Sequence, residues 1–141
     1  MKKYLVILFS IGILIFVAFR LFIVKPAPKQ YTEGKVLSSL NQGFELLRLR
    51  RDKEALLIFE QILLFEPSNI DARWGKAEVL RRMKEFLEAE KILTDILKET
   101  PQHQSSMISL AYIRYKDDKL NEAKQLINDA IEIKPWRKEE L

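Results

Sequence analysis

The sequence predicts an all-α chain: three helical hairpins in tandem behind a single membrane-crossing helix. Three observations carry this prediction. Residues 4–24 are a continuous apolar run with one charge, Arg20. Pro67, Pro101 and Pro135 stand 34 residues apart. The same shift superimposes small and apolar residues along the chain, and self-similarity at a fixed period marks a repeat architecture. Composition agrees. Of 141 residues 48% are hydrophobic and 31% charged, with only 4 Gly and 5 Pro, which excludes collagenous and low-complexity disordered chains. Cys is absent and His occurs once, so disulfides, thiolate or multi-histidine metal sites and iron–sulfur ligation within one chain are excluded. No cofactor or metal is expected.

The first element is residues 1–24. Tyr4 to Val24 rises about 31 Å as a helix, roughly the thickness of a hydrocarbon core, and Arg20 lies near one end, where its stem reaches the headgroups. A cleaved secretory signal with Lys2 and Lys3 as its basic start is the competing reading. Against it, the run is long and the following VKPAPKQ has no small-x-small cleavage site. Lys2 and Lys3 favour a cytoplasmic N-terminus and an extracytoplasmic, periplasmic domain, although Arg20, Lys25, Lys29 and Lys35 pull the other way. Residues 1–24 carry three of the basic residues and no acid; the rest holds 21 basic against 20 acidic, which gives no support for nucleic-acid binding. Residues 25–35, with Pro26 and Pro28, read as a short extended spacer.

The repeats occupy residues 36–137, as 36–69, 70–103 and 104–137, with a tail at 138–141. Small residues recur at Gly43, Ala77 and Ala111 and at Ala55, Ala89 and Ala123. Large apolar residues recur at Phe59, Leu93 and Ile127, followed three positions on by Ile62, Ile96 and Ala130. Apolar spacing splits each copy into two amphipathic helices: Val36–Arg50 with Lys53–Phe65, Ala72–Met83 with Phe86–Lys98, and Gln104–Lys116 with Leu120–Ile133. Each proline stops the second helix, and the small residues let paired helices approach closely. His103, Ser105 and Ser106 read as helix-capping residues rather than a nucleophile with its base, and Asp117-Asp118 as a tight turn. No Gly-rich phosphate loop is present.

On the small pair, the apolar column and the proline column, the chain resembles the tetratricopeptide repeat family over about Val36 to Arg137. Trp74 lies one residue off the place of the family's first-helix aromatic. The resemblance implies a right-handed superhelix of hairpins whose first helices line a concave groove for a protein or peptide partner, and no enzymatic activity. Carried over, the groove holds Leu37, Leu40, Phe44, Leu47 and Arg48, then Trp74, Glu78, Arg81 and Arg82, then Ile108, Tyr112, Tyr115 and Lys116. Arg48, Arg82 and Lys116 share one column and suggest a cation ladder beside apolar anchors; hairpin core and solvated face are the competing roles. The family's clamp for acidic chaperone tails maps to Leu40, Phe44, Gly75, Ser105 and Ser109, which lack its donors, so that function is not expected. At the C-terminal edge Ala130, Ile131, Ile133, Trp136 and Leu141 form a candidate uncovered patch, unless residues 136–141 fold back over it. The functional expectation is a membrane-anchored adaptor in assembly or chaperoning of a bacterial envelope complex. A self-associating scaffold, a homo-oligomer built through that edge, is the alternative.

Overall fold

Apolar residues every three or four positions, interrupted by short polar turns, produce six α-helices among residues 33–133, the part of the chain that the computed structural model describes. They are α1 (Glu33–Arg48), α2 (Asp52–Phe65), α3 (Ile70–Arg82), α4 (Phe86–Glu99), α5 (Gln104–Lys116) and α6 (Leu120–Glu132). These are the helices expected from the spacing, with ends moved by a few residues. The proposed anchor at 1–24, most of the spacer, Trp136 and the tail at 138–141 lie outside the described residues. Among the described residues no helix is long and apolar enough to cross a membrane.

The turn inside each hairpin is the same device three times. Arg50, Lys84 and Asp118 adopt positive φ of 61°, 67° and 61°. One residue later, the backbone N–H of Arg51, Glu85 and Lys119 donates back to Leu46, Leu80 and Arg114, each at 2.9 Å. The bonds Arg50 N to Leu47 O, Lys84 N to Arg81 O and Asp118 N to Tyr115 O complete the Schellman pattern that ends a helix in a left-handed residue. Between repeats a different device operates. Asn69 Oδ1 accepts from Ala72 N at 2.9 Å to start α3. His103, one period later, does the same for α5: its Nδ1 accepts from Ser106 N at 3.2 Å and sits 2.7 Å from Ser106 Oγ. The capping expected of this loop is therefore what it does.

Packing follows the repeat columns. Phe59, Ile62, Leu93 and Ile96 are completely buried, as are Ala55, Ala77 and Ala89. Gly43, Ala77 and Ala111 lie in the seam between paired helices, none of them facing solvent. Each helix packs on the next in sequence, and the first helices of neighbouring repeats also touch, α1 on α3 and α3 on α5. The second helices, α2, α4 and α6, make no such contacts with one another. First helices therefore crowd together on the inner side while second helices splay outward, which curves a helical stack toward its first helices. Two positions differ from their columns. Ile127 is 38% exposed where Phe59 and Leu93 are fully buried, because no further described helix covers α6. Ala130, expected in the open patch, is buried instead; its carbonyl accepts Gln104 Nε2 at 2.7 Å as α5 closes over it.

Candidate partner groove

The inner face is built by α1, α3 and α5, with its floor set by residues facing up between them. Phe44 of α1 is half-buried, its ring centroid 5.1 Å from Phe59 and 5.5 Å from Trp74. Trp74 donates its indole N–H to Ser109 Oγ across to α5 at 3.3 Å, and Ser109 in turn donates to Glu78 Oε2 at 3.1 Å. Glu78 also takes both ends of the Arg81 guanidinium, with Arg81 Nε 2.9 Å from Glu78 Oε2. That bond holds Arg81 further into its charged range. The Arg81 guanidinium carbon lies 4.4 Å from the centroid of the Tyr112 ring, a cation–π contact joining α3 to α5. The Phe86 ring centroid stands 6.5 Å from that of Tyr112. Two open clefts share this centre. A cleft of about 320 Å³ is lined by Trp74, Glu78, Arg81, Ile108 and Tyr112. A larger one of about 710 Å³ opens toward the hairpin turns, where Arg48, Arg50, Arg82, Lys84, Phe86 and Lys116 join Glu78, Arg81 and Tyr112.

Not all candidates from the sequence face this space. Trp74, Arg81 and Tyr112 line the smaller cleft together, and Phe44 backs them from the core through the Trp74 ring without lining either cleft. Leu47 lines the larger cleft, yet its side chain is only 7% exposed and belongs to the core of the first hairpin. Leu40 is buried in the same core and Leu37 is exposed. The cation ladder is broken in the middle. Arg82 donates to the Leu47 carbonyl at 2.6 Å, and its Nη2 lies 2.9 Å from Asp52 Oδ1, an ion pair whose angle falls outside good hydrogen bonding. Asp52 is the departure from its own column, which continues as Phe86 and Leu120. Arg48 pairs with Glu45 at the exposed rim. Lys116 lines the cleft, exposed. Tyr115 lines neither cleft; it lines a slot of about 480 Å³ between α5 and α6 with Ala111, Leu120 and Ile127, which shares Ile108 and Tyr112 with the smaller cleft. Ile131 is 69% exposed and Ile133 half-buried, while Trp136 lies outside the described residues. Of the clamp positions, Leu40 and Gly75 are core, Phe44 packs on the Trp74 ring, Ser109 is hydrogen-bonded and Ser105 lines the smaller cleft, and none carries a cation.

Sequence reasoning missed Arg50 and Lys84. Their 34-residue spacing was legible, but only the left-handed turn aims them at the cleft. No group of three or more His, Cys, Asp or Glu side chains among the described residues is placed to hold a metal ion.

Comparison with known proteins agrees with this architecture. The tetratricopeptide repeat family model matches residues 46–111. No curated protein matches the sequence. The second TPR domain of Spaghetti (RPAP3), solved with the HSP90 peptide SRMEEVD, superposes with a TM-score of 0.63 at 18% identity, covering 70% of this chain and 92% of that one. The first TPR domain of the same protein, with the same peptide, gives 0.65 at 19% identity, covering 78% and 87%. MamA from Desulfovibrio magneticus RS-1 gives 0.60 at 20% identity, covering 71% of this chain and 56% of that one. The repeat columns and the six hairpin helices agree with the family match over residues 46–111, and the fold is the one these solved TPR domains share.

Proposed function

We propose that the chain is a membrane-anchored adaptor that holds a protein or peptide segment in the groove of α1, α3 and α5. The observation that carries this reading is the pair of open clefts that meet at Glu78, Arg81 and Tyr112, where an exposed aromatic ring lies against a largely buried, paired arginine and glutamate from the neighbouring first helix. Mixed aromatic and arginine surfaces of this kind are the usual composition of binding hot spots. The Spaghetti domains hold an HSP90 peptide in the same fold; this chain lacks their family's clamp donors, so its partner differs. The apolar run at residues 4–24 supports a bilayer anchor, and confinement to a membrane raises the effective concentration of a co-resident partner. Assembly or chaperoning of a bacterial envelope complex, with the repeats on the periplasmic side, is the setting this combination fits. Binding, not catalysis, is the activity proposed.

Selection of displayed random peptides on the full chain in detergent micelles tests the groove. Enriched peptides should lose most of their affinity when Ile108→Ser and Tyr112→Ala are combined. Equal binding to both proteins would refute the groove. A reporter fused after Leu141 reads the side of the membrane. A second reading, self-association, rests on the apolar slot with Leu120 and Ile127 exposed on α6. It requires a dimer in sedimentation that Ile127→Glu dissolves.

A further inference from the structure

We infer that the turn-side end of the groove is a subsite for a carboxylate-rich peptide bound in extended form. Its acidic side chains face Arg50, Lys84 and Lys116, and an apolar residue three or four positions away enters the cleft between Trp74 and Ile108. This rests on the groove reading above and specifies what the groove selects.

Charge segregation is the first observation. Residues 33–133 hold 16 Lys and Arg against 18 Asp and Glu, a slightly acidic domain. The turn-side cleft reverses that balance, with Arg48, Arg50, Arg81, Arg82, Lys84 and Lys116 against Asp52 and Glu78. Three of these cations are already engaged: Arg48 with Glu45, Arg81 with Glu78, and Arg82 with Asp52 and the Leu47 carbonyl. Arg50, Lys84 and Lys116 make no ion pair among the described residues. Three helix C-termini open onto the cleft, each worth roughly half a negative charge. Even with these and Glu45 set against the cations, the cleft stays positive.

Backbone geometry is the second. Arg50 and Lys84 occupy left-handed positions, which disfavour a Cβ and are most comfortable for glycine or asparagine. Two consecutive repeats nonetheless place a long cation there, and both line the cleft. A helix-ending role needs neither side chain.

The third observation is the neighbouring apolar cleft. Ile108 and Lys116 lie eight residues apart on α5, about 12 Å along the axis. An extended peptide covers that in roughly three to four residues. The cations form one cluster and do not continue as a stripe, which fits a few carboxylates better than the repeated phosphates of a nucleic acid.

The probe is a fluorescein-labelled peptide, Gly-Ser-Leu-Ser-Ser-Glu-Glu-Asp-Gly, titrated with the full chain in detergent micelles by fluorescence anisotropy. Its amide counterpart carries Gln, Gln and Asn in place of the acids. The acidic peptide should bind about tenfold tighter at low salt, with the gap narrowing as salt screens the charges. Lys84→Glu with Lys116→Glu should erase the gap while the protein still melts cooperatively, a few degrees lower at most, since both side chains are exposed and each new carboxylate opposes only a helix C-terminal dipole. Equal binding of the two peptides, or an acidic preference that survives the double reversal, overturns the subsite. If neither peptide binds while displayed peptides still bind in a Tyr112-dependent way, the subsite falls and the groove stands. If no Tyr112-dependent ligand exists, both fall. Displacement of the probe by a thymidine oligonucleotide or by anionic vesicles as readily as by unlabelled peptide also overturns it, in favour of a general anion surface.

Discussion

Phe59 occupies the room that two glycines leave. A Cβ on Gly43 would stand 2.7 Å from its ring, and one on Gly75, reaching in from the next repeat, 2.5 Å. Neither position has a positive φ, so close approach and not backbone freedom is what calls for glycine here. The following repeat resolves the same seam differently, with Leu93 between Ala77 and Ser109 in the equivalent columns. Large ring with two glycines and smaller side chain with two small residues are volume-matched solutions. Gly75→Ala alone should therefore destabilise by about 1–3 kcal/mol through overpacking. Combined with Phe59→Leu the costs should fall short of their sum by about 1 kcal/mol or more. Urea unfolding of the four proteins measures the coupling, and strictly additive costs would mean that the two sites do not share that space.

At the scale of the element, the helix ends decide two outcomes. A left-handed non-glycine residue costs about 1 kcal/mol, and part of that returns on substitution by glycine. Asp118→Gly should raise stability by about 0.5 kcal/mol with no effect on acidic-peptide binding, because Asp118 does not line the cleft. Lys84→Gly should raise stability similarly and weaken that binding; thermal melts beside anisotropy titrations separate the two effects. The cap of α5 is pH-sensitive where the cap of α3 is not. Burial pulls the His103 imidazole below its ordinary 6.5, with Asp71 opposing more weakly, and a neutral Nδ1 is what accepts from Ser106 N. The unfolded chain then binds the proton first as pH falls. This contribution to stability is complete above 6.5 and shrinks as acidification passes through and below that value. His103→Asn, which copies Asn69 one repeat earlier, should flatten the melting temperature across that window. An unchanged acid slope in the variant would assign the effect to other groups.

For the whole described stack, position in the array outweighs residue type. Leu93 and Ile127 share a column, but Leu93 is enclosed by the third repeat and Ile127 has α5 on one side only. Leu93→Ala should cost about 2–5 kcal/mol and Ile127→Ala about 1 kcal/mol, the difference expected when stability is a sum over neighbouring interfaces. Chemical denaturation gives both. Equal losses would mean that something else covers α6 in the intact protein.

Much of this was legible in the chain itself. The 34-residue period fixed three hairpins, and apolar spacing with Pro67 and Pro101 placed six helices to within a few residues, because helix periodicity and proline's missing donor act locally. Small residues at Gly43, Ala77 and Ala111 announced the paired seams for the same reason. What only the tertiary structure decided was the use of the charges and the direction of the aromatics. The column of Arg48, Arg82 and Lys116 looks uniform in one dimension, yet Asp52 and the Leu47 carbonyl capture its middle member from another helix. Tyr112 lines both the groove and the α5–α6 slot, while Tyr115, three residues on, lines only the slot. Arg50 and Lys84 reach the cleft through a left-handed turn. Partners across a fold are set by which helices meet, and spacing along one chain does not encode that.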